Sequence, residues 1–225
     1  MKINIAIDGP SAAGKSTIAK KLANKLNYVH LDTGAMYRCT AYKAEKNGLD
    51  FTDGNAVAKM LQDTEIRLTP EGNVYLDGEN VSKIIREDHV SLAASKVSQH
   101  PSVREELVRR QQNMAKAKGF IMDGRDIGTV VLKDAEVKIF MTASAEARAK
   151  RRYDQNIQSG IETESLEVIT EEIKERDYQD IHREASPLRK AEDAIEIDTS
   201  YLTIDEVSDK IYEIAKPFLE KEDMK

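Results

Sequence analysis

The chain has 225 residues, of which 40% are hydrophobic, enough for one domain with a sizeable core and a small insertion. Its 34 lysines and arginines are outnumbered by 40 aspartates and glutamates, and the net charge of −6 argues against a nucleic-acid-binding surface. Cys39 is the single cysteine, so no internal disulfide can form, as is typical of a reducing compartment. No apolar run approaches the roughly 20 residues of a membrane span, and no secretory signal is recognisable. We expect a cytoplasmic protein without membrane contact.

Short β-branched segments alternate with longer helical patterns along most of the chain. This alternation predicts an α/β fold, in which a parallel sheet carries helices on both faces. The expected strands are 2–8, 28–31, 120–123, 137–141 and 195–197, and the expected helices are 16–26, 35–46, 103–118, 145–156, 166–180 and 204–219. Ligands of such folds bind at the carboxyl ends of the strands, so we expect functional residues there.

Residues 64–82 interrupt this alternation. Two turn sequences that begin at Pro70 and Asp77 separate short segments typical of antiparallel strands. We therefore predict one domain over residues 1–225 with a small inserted subdomain at 62–92.

Residues 9–16 read Gly-Pro-Ser-Ala-Ala-Gly-Lys-Ser between a predicted strand and a predicted helix. This is the phosphate-loop motif G-x-x-x-x-G-K-S/T in its required setting. Gly9 and Gly14 let backbone N–H groups turn toward phosphate oxygens, and the helix adds its positive N-terminal end. Lys15 can reach the β- and γ-phosphates, and the Ser16 hydroxyl is placed to coordinate Mg²⁺. The motif predicts a bound nucleotide polyphosphate, held by Gly9, Pro10, Ser11, Ala12, Ala13, Gly14, Lys15, Ser16 and Thr17.

Two further motifs follow predicted strands. The segment 32–38 ends in Arg38, which we expect to face a second phosphate. The segment 123–126 reads Asp-Gly-Arg-Asp, and Asp123 is placed like the Mg²⁺-associated aspartate of P-loop enzymes. The alternative is an Asp-Gly turn without a functional role, but the position of the segment at the end of a strand favours a functional role for Arg125.

Two helices carry charged clusters. The first cluster is Arg148, Lys150, Arg151 and Arg152, which could form a solvated helix face or point toward phosphate. A polar stretch follows it, and we predict a mobile lid across residues 148–166. Arg176, Asp180 and Arg183 align on one helix face, either as a surface ion network or toward a ligand. So many arginines exceed the needs of one nucleotide, which indicates two phosphorylated ligands and transfer between them, as in a kinase.

These motifs together resemble those of bacterial cytidylate kinases, a branch of the nucleoside monophosphate kinases. The resemblance covers nearly the whole chain and is carried by residues 7–17, 31–38, 95, 103–105, 122–131, 175–177, 180 and 183. It implies a P-loop kinase fold with an insert that clamps the acceptor nucleotide and a lid. It also implies Mg²⁺-dependent phosphorylation of CMP and dCMP by ATP, and a monomer.

Motif position assigns roles to individual residues as the resemblance implies them. Base reading falls to Ser95, Arg104 and Asp126, the acceptor phosphate to Arg38, Arg125 and Arg183, and the sugar to Arg176 and Asp180. The expected substrate contacts also include Asp123 and Thr33; relatives often carry serine at the position of Thr33. Lys15 and Arg125 are expected to act on the transferring phosphate, together with Arg148 and Arg152 of the lid. Cytosine chemistry agrees, because a carboxylate accepts from its N4 amine and a guanidinium donates to O2 and N3.

Alternatives stay open. The acceptor could be another small molecule, or the protein could be a nucleotide-driven switch in which the γ-phosphate orders a partner-binding loop. The sequence contains no Asn-Lys-x-Asp guanine-reading segment, which argues against the switch. Either Ser16 or Thr17 could ligate Mg²⁺, and the spacing favours Ser16.

Overall fold

The computed structural model describes residues 2–69, 71–158, 160 and 162–219. The chain divides into two compact units. The first combines the chain up to Tyr28 with the chain from Lys118 onward, and the second is Val29–Ala117.

The described strands are β1 (Ile5–Asp8), β2 (Val29–Asp32), β3 (Ile66–Leu68), β4 (Val74–Leu76), β5 (Glu79–Asn80), β6 (Phe120–Gly124), β7 (Val137–Thr142) and β8 (Ile195–Asp198). The described helices are α1 (Lys15–Leu26), α2 (Thr33–Lys46), α3 (Gly54–Gln62), α4 (Asp88–Val97), α5 (Pro101–Ala115), α6 (Ala145–Gln158), α7 (Leu166–His182) and α8 (Ile204–Leu219). A 3₁₀ turn lies at Ile84–Arg86 and a π-helix at Ile127–Val131.

The first unit is built on four parallel strands in the order β6-β1-β7-β8. Strand β1 lies between two neighbours and is buried along its length, which explains its unbroken apolar start. Ile18 and Leu22 of α1 and Ile211 of α8 share one core with Ile7 and Ile139 of the sheet. The predicted α/β fold, a parallel sheet flanked by helices, is confirmed.

The end of β1 and the end of β6 meet at one edge of this sheet. The strands are parallel, and Asp8 is paired with Gly124 across them. Residues that directly follow these two strands are therefore neighbours, although more than 100 positions separate them in the sequence.

The second unit is mainly helical and carries a small antiparallel sheet, β3-β4-β5. Asp77 and Gly78 turn the chain between β4 and β5, both with positive φ (49° and 86°), as tight hairpins require. The antiparallel strands expected in the insertion are thus confirmed. Pro70 lies outside the described residues, and the subdomain assignment of 62–92 stays a prediction.

The five strands and six helices expected from sequence are all present; α8 has the expected ends, and the others are shifted at one or both ends. The helix expected at 103–118 runs from Pro101 to Ala115. Proline is favoured at the first helical position, and the left-handed backbone angles of Lys118 and Gly119 (φ 58° and 83°) exclude a helix that continues through 118. Helices α3 and α4, the 3₁₀ turn and the π-helix were not predicted.

Helix α6 continues to Gln158, two residues beyond the predicted end at 156, so the polar stretch that follows it begins later than expected. Ser159 and Ile161 lie outside the described residues. The lid assignment at 148–166 stays a prediction. In the described part of the chain, no helix has the length and apolar character needed to cross a membrane.

Candidate active site

The phosphate loop connects β1 to α1 in the first unit, as predicted. Gly9 has φ 150°, and a Cβ atom there would lie 2.2 Å from the backbone oxygen of Met141. Gly14, with φ 89°, directly precedes α1. Side chains cannot be accommodated at the first position, and the second favours glycine, so the two motif glycines are explained by geometry.

Lys15 is folded back across its own loop. Its Nζ donates to the Pro10 carbonyl at 2.6 Å, and the side chain is buried. The pKa of Lys15 is lowered to about 7, chiefly by burial and then by the neighbouring Arg125, while Asp123, Asp180 and Asp8 oppose this shift. A phosphate beside Nζ would favour the charged form, so ligand binding would restore the full positive charge.

Ser16 and Asp123 form a hydroxyl–carboxylate pair at the sheet edge. Ser16 Oγ donates to Asp123 Oδ2 at 2.7 Å, and Asp123 is buried at the end of β6. Such oxygen atoms are the ligands that Mg²⁺ prefers. Among the described residues, no group of three His, Cys, Asp or Glu side chains could hold a metal ion. The pair therefore fits Mg²⁺ held by few protein atoms and by nucleotide phosphates.

The structure brings Arg125 into contact with Asp180, which also lies near Arg183. The sequence placed Arg125 in the segment 123–126 and the other two on a separate helix. Arg125 Nε donates to Asp180 Oδ2 at 2.7 Å, and Arg183 Nη1 lies 3.8 Å from Asp180 Oδ1. Burial favours a higher pKa for the Asp180 carboxyl, but Arg125, Arg183 and Arg176 outweigh burial and hold that pKa below its usual range. Burial likewise opposes the charge of Arg125, and Asp180 raises the pKa of Arg125 despite it. Asp180 is buried and both arginines on this helix face, Arg176 and Arg183, are partly buried, so the three do not form a solvated surface network.

The basic cluster on α6 divides into distinct environments. Arg148 is buried and donates to both carboxylate oxygens of Asp177, at 3.0 and 2.6 Å. Its remaining donors reach the carbonyl of Ala143 at 2.9 Å and that of Ser11 in the phosphate loop at 3.3 Å. Arg148 thus connects α6 and α7 to the phosphate loop.

The other members of the cluster differ. Lys150 is exposed and pairs with Asp154 on its own helix, which is the solvated face expected as an alternative. Arg152 Nη1 lies 4.0 Å from Glu172 Oε2. Arg151 donates to the carbonyl of Thr199 and, at 3.5 Å, to that of Ala13. The buried Thr199 hydroxyl donates to the same Ala13 carbonyl at 3.3 Å. Arg151 and Thr199 therefore both stabilise the backbone of the phosphate loop at Ala13.

Sequence reasoning gave no individual role to Asp8, Asp177 or Thr199, and it named Arg151 only as a member of the basic cluster. Asp8 is 4% exposed, and its two carboxylate oxygens accept from the backbone N–H groups of Ile127 and Gly128, both at 2.7 Å. The pKa of Asp8 is raised to about 6, chiefly by burial; the two hydrogen bonds oppose this rise but do not cancel it. In the sequence, Asp8 is only a single carboxylate at the end of an apolar strand. Such a position does not indicate which groups the carboxylate will contact.

In the second unit, Asp32 and Arg38 lie at the start of α2, as expected. Asp32 caps the helix by accepting from the Ala35 N–H at 3.0 Å and pairs with Arg38 Nη2 at 2.8 Å. Arg38 Nε is buried and has no hydrogen-bond partner among the residues that the structure describes. Thr33 is buried as the first residue of α2.

Arg104 and Ser95 are connected through Ser98 in the second unit. Arg104, on α5, is buried and donates to the Ser98 carbonyl at 3.1 Å. Ser98 Oγ in turn donates to the carbonyl of Ser95 on α4 at 2.9 Å. The Arg104 guanidinium also lies 5.3 Å from the centre of the Tyr37 ring on α2. These contacts fix one buried guanidinium close to the predicted serine.

The fold and the phosphate loop define a P-loop kinase. A crystal structure of shikimate kinase from Bacteroides thetaiotaomicron aligns with 96% of this chain and 99% of its own at a TM-score of 0.51 and 10% identity, which supports the fold alone. The family model described as cytidylate kinase matches residues 5–217.

Curated relatives agree with that model. A cytidylate kinase of Bacillus velezensis is 55% identical over 96% of this chain and 97% of its own length. A cytidylate kinase of Geobacillus thermodenitrificans is 54% identical over 95% and 96%. The chain belongs to the cytidylate kinase family.

Proposed function

We propose that the protein transfers the γ-phosphoryl group of ATP to the 5′-phosphate of CMP, which yields ADP and CDP. The observation that carries the proposal is the 2.7 Å hydrogen bond from Ser16 Oγ to Asp123 Oδ2, which joins the segment of Lys15 to that of Arg125; the charges of these two cations interact. Two cations so placed suit phosphates of two ligands that meet at this edge. The family to which the chain belongs supports this reading.

On the donor side, residues 9–17 hold the ATP phosphates. Backbone N–H groups of the loop and the N-terminus of α1 face the phosphate oxygens, and Lys15 neutralises the β- and γ-phosphates. Ser16 and Asp123 would hold Mg²⁺, which supplies charge neutralisation on the nucleotide phosphates when bound.

On the acceptor side, the first unit supplies contacts to every part of CMP. Arg125 and Arg183 hold its phosphate, Arg176 and Asp180 contact its sugar, and Asp126 accepts from the cytosine amine. The resemblance adds Thr33, Arg38, Ser95 and Arg104 as CMP contacts. We extend the proposal to dCMP, on the resemblance alone.

The chemical step needs no protein nucleophile. An oxygen of the CMP phosphate attacks the γ-phosphorus, while the bond from that phosphorus to the β–γ bridging oxygen breaks and ADP retains the electron pair. Lys15 and Arg125 stabilise the negative charge spread over the transferring group.

Arg148 and Arg152 are proposed to touch the transferring phosphate when the lid closes. For Arg148 this requires its bidentate contact with Asp177 to open, since its donors are engaged as the structure stands. Arg152 Nη1 lies 4.0 Å from Glu172 Oε2, and we propose that it turns from Glu172 to the phosphate in the same step. We further propose a cytoplasmic location and, as the resemblance implies, a monomer.

An acceptor screen tests the proposal. ADP release from ATP is followed with CMP, dCMP, UMP, AMP, shikimate or no acceptor present. We expect rapid ADP formation with CMP and little without it. Preference for another acceptor would replace the proposal with a different small-molecule kinase, and slow turnover independent of any acceptor would indicate the nucleotide switch.

A further inference from the structure

Asp8 makes a two-point contact with the segment that follows the predicted CMP-reading residues. Its Oδ1 accepts from the Ile127 N–H and its Oδ2 from the Gly128 N–H, each at 2.7 Å. These are the two amides directly after Asp126. A Cβ atom on Gly128 would lie 3.3 Å from Asp8 Oδ2, so the backbone approaches the carboxylate closely.

These two amides begin the π-helix Ile127–Val131. The first N–H groups of a helix have no partner within it and are commonly satisfied by a short polar side chain from an adjacent position. Here the partner is a carboxylate 119 positions away in sequence, at the end of the neighbouring strand. The segment is therefore held by the strand that leads into the phosphate loop.

Burying this carboxylate is unfavourable. Asp8 is almost completely inaccessible to solvent, and the like charge of Asp126 lies near it. A serine or asparagine would satisfy one amide at a smaller desolvation penalty. A carboxylate differs in accepting from both amides at once, which fixes the position and the direction of the backbone.

We propose that Asp8 is a positioning residue for CMP recognition. Its carboxylate fixes the backbone at Ile127 and Gly128, and this sets the side chains of Arg125 and Asp126 toward the acceptor. The inference rests on the proposed function and adds to it a residue that does not contact CMP.

The protonation state of Asp8 gives a signature of this role. A protonated carboxyl retains one acceptor oxygen and turns an O–H donor toward an N–H, so one of the two contacts is lost. The charged groups that face Asp8 and this segment are Lys15 of α1, Asp126, and Lys138 of β7, whose stem lies against Gly128. With a pKa of about 6, acceptor recognition should weaken as the pH falls through that value.

The test compares the full-length wild type with Asp8→Asn, which keeps the size of the side chain but presents an N–H₂ group to one amide. We expect the KM for CMP to rise about tenfold or more, with the KM for ATP changed less than about threefold. The preference for CMP over UMP should fall as well. We then measure kcat/KM for CMP against pH in both proteins and divide the wild-type value by the variant value. This ratio should fall as the pH is lowered through about 6. The CMP phosphate titrates in the same range, but its effect is common to both proteins and cancels in the ratio.

Two further variants separate positioning from loss of stability. Gly128→Ala pushes the amide from Asp8 Oδ2 without changing charge, and we expect a smaller rise in the KM for CMP. It also reports on the contact if Asp8→Asn fails to fold. Ile127→Val removes a fully buried methylene from the same segment but keeps both amides, so CMP preference should be unchanged.

Suppose that the wild type turns over CMP normally and that the CMP kinetics of Asp8→Asn and Gly128→Ala are both unchanged. This result would overturn the role of Asp8 but leave the proposed function intact. An equal loss of CMP preference in Ile127→Val would also overturn it, since the carboxylate would then have no special part. Absence of CMP turnover in the wild type would overturn the proposed function, and this inference with it.

Discussion

Arg148 and Asp177 form a bidentate ion pair between α6 and α7, with nitrogen–oxygen distances of 3.0 and 2.6 Å. The same guanidinium donates to the Ser11 carbonyl of the phosphate loop. Because the arginine is buried, removing its partner would leave an uncompensated charge. The pair therefore connects the stability of two helices with the shape of the ATP site.

Asp177→Asn should weaken both properties. We expect a loss of about 3 kcal/mol in the free energy of unfolding, measured by urea denaturation, because a buried guanidinium loses its charged partner. The KM for ATP should rise in the same variant, since the Ser11 carbonyl is less firmly held.

The exposed pair Lys150 and Asp154 on α6 provides the control. Asp154→Asn should change stability by less than about 0.5 kcal/mol and leave the KM for ATP unchanged. If Asp177→Asn behaved like this control, the pair would have no part in holding the loop.

Lys15→Met should abolish activity without unfolding the protein. Loss of one preorganised cation at the transferring phosphate is expected to lower kcat/KM by a factor of about 100 or more. Methionine fills a similar volume and buries no charge, so the thermal midpoint should not fall. Lys20→Met, an exposed position on the same helix, is the control and should retain full activity. Near-normal turnover in Lys15→Met would remove Lys15 from the mechanism.

Asp126→Asn should reduce the discrimination between CMP and UMP. An amide can donate as well as accept, so the expected contact with the cytosine amine weakens while a contact with the uracil carbonyl becomes possible. We expect the ratio of kcat/KM for CMP to that for UMP to fall about tenfold or more. The exposed Asp134 offers a control as Asp134→Asn, with an unchanged ratio. Equal losses toward both acceptors in Asp126→Asn would show that Asp126 does not read the base.

Protein stability should carry a pH dependence that comes from Asp8. Its pKa is about 6 in the folded protein and 3.8 as the reference for the unfolded chain, so between these values the folded state holds the proton more strongly. The contribution of Asp8 to stability therefore falls as the pH rises from about 4 to 6, by at most about 3 kcal/mol, and does not change above that range. The wild type should show this additional fall relative to Asp8→Asn in denaturation curves across the range. Parallel curves for the two proteins would mean that Asp8 titrates normally.

Much of the fold was readable from local sequence. The phosphate loop is one continuous segment in which Gly9, Gly14 and Lys15 have defined geometric tasks, and β1 is an unbroken apolar run. Helices α3 and α4 escaped prediction because they are short, at nine and ten residues. For α3, the N-cap contact from Asp53 to the Ala56 N–H, at 2.9 Å, was a usable local signal.

The partners of charged residues could not be read in the same way. The sequence placed Arg125 and Asp180 in separate motifs, and only the fold brings them within 2.7 Å. Likewise, nothing near Arg148 indicates Asp177, 29 positions away, and nothing near Asp8 indicates Ile127. Such pairs depend on which strands are neighbours, a property of the whole sheet rather than of a local pattern.

The most direct test of the account follows the phosphoryl group itself. In a single turnover, enzyme with ATP labelled at the γ-phosphate is mixed with CMP, and the labelled product is separated by chromatography. The account predicts that the label moves into CDP at the rate at which ADP forms, and that little inorganic phosphate is released without CMP. Label found in inorganic phosphate at the same rate with and without CMP would contradict it.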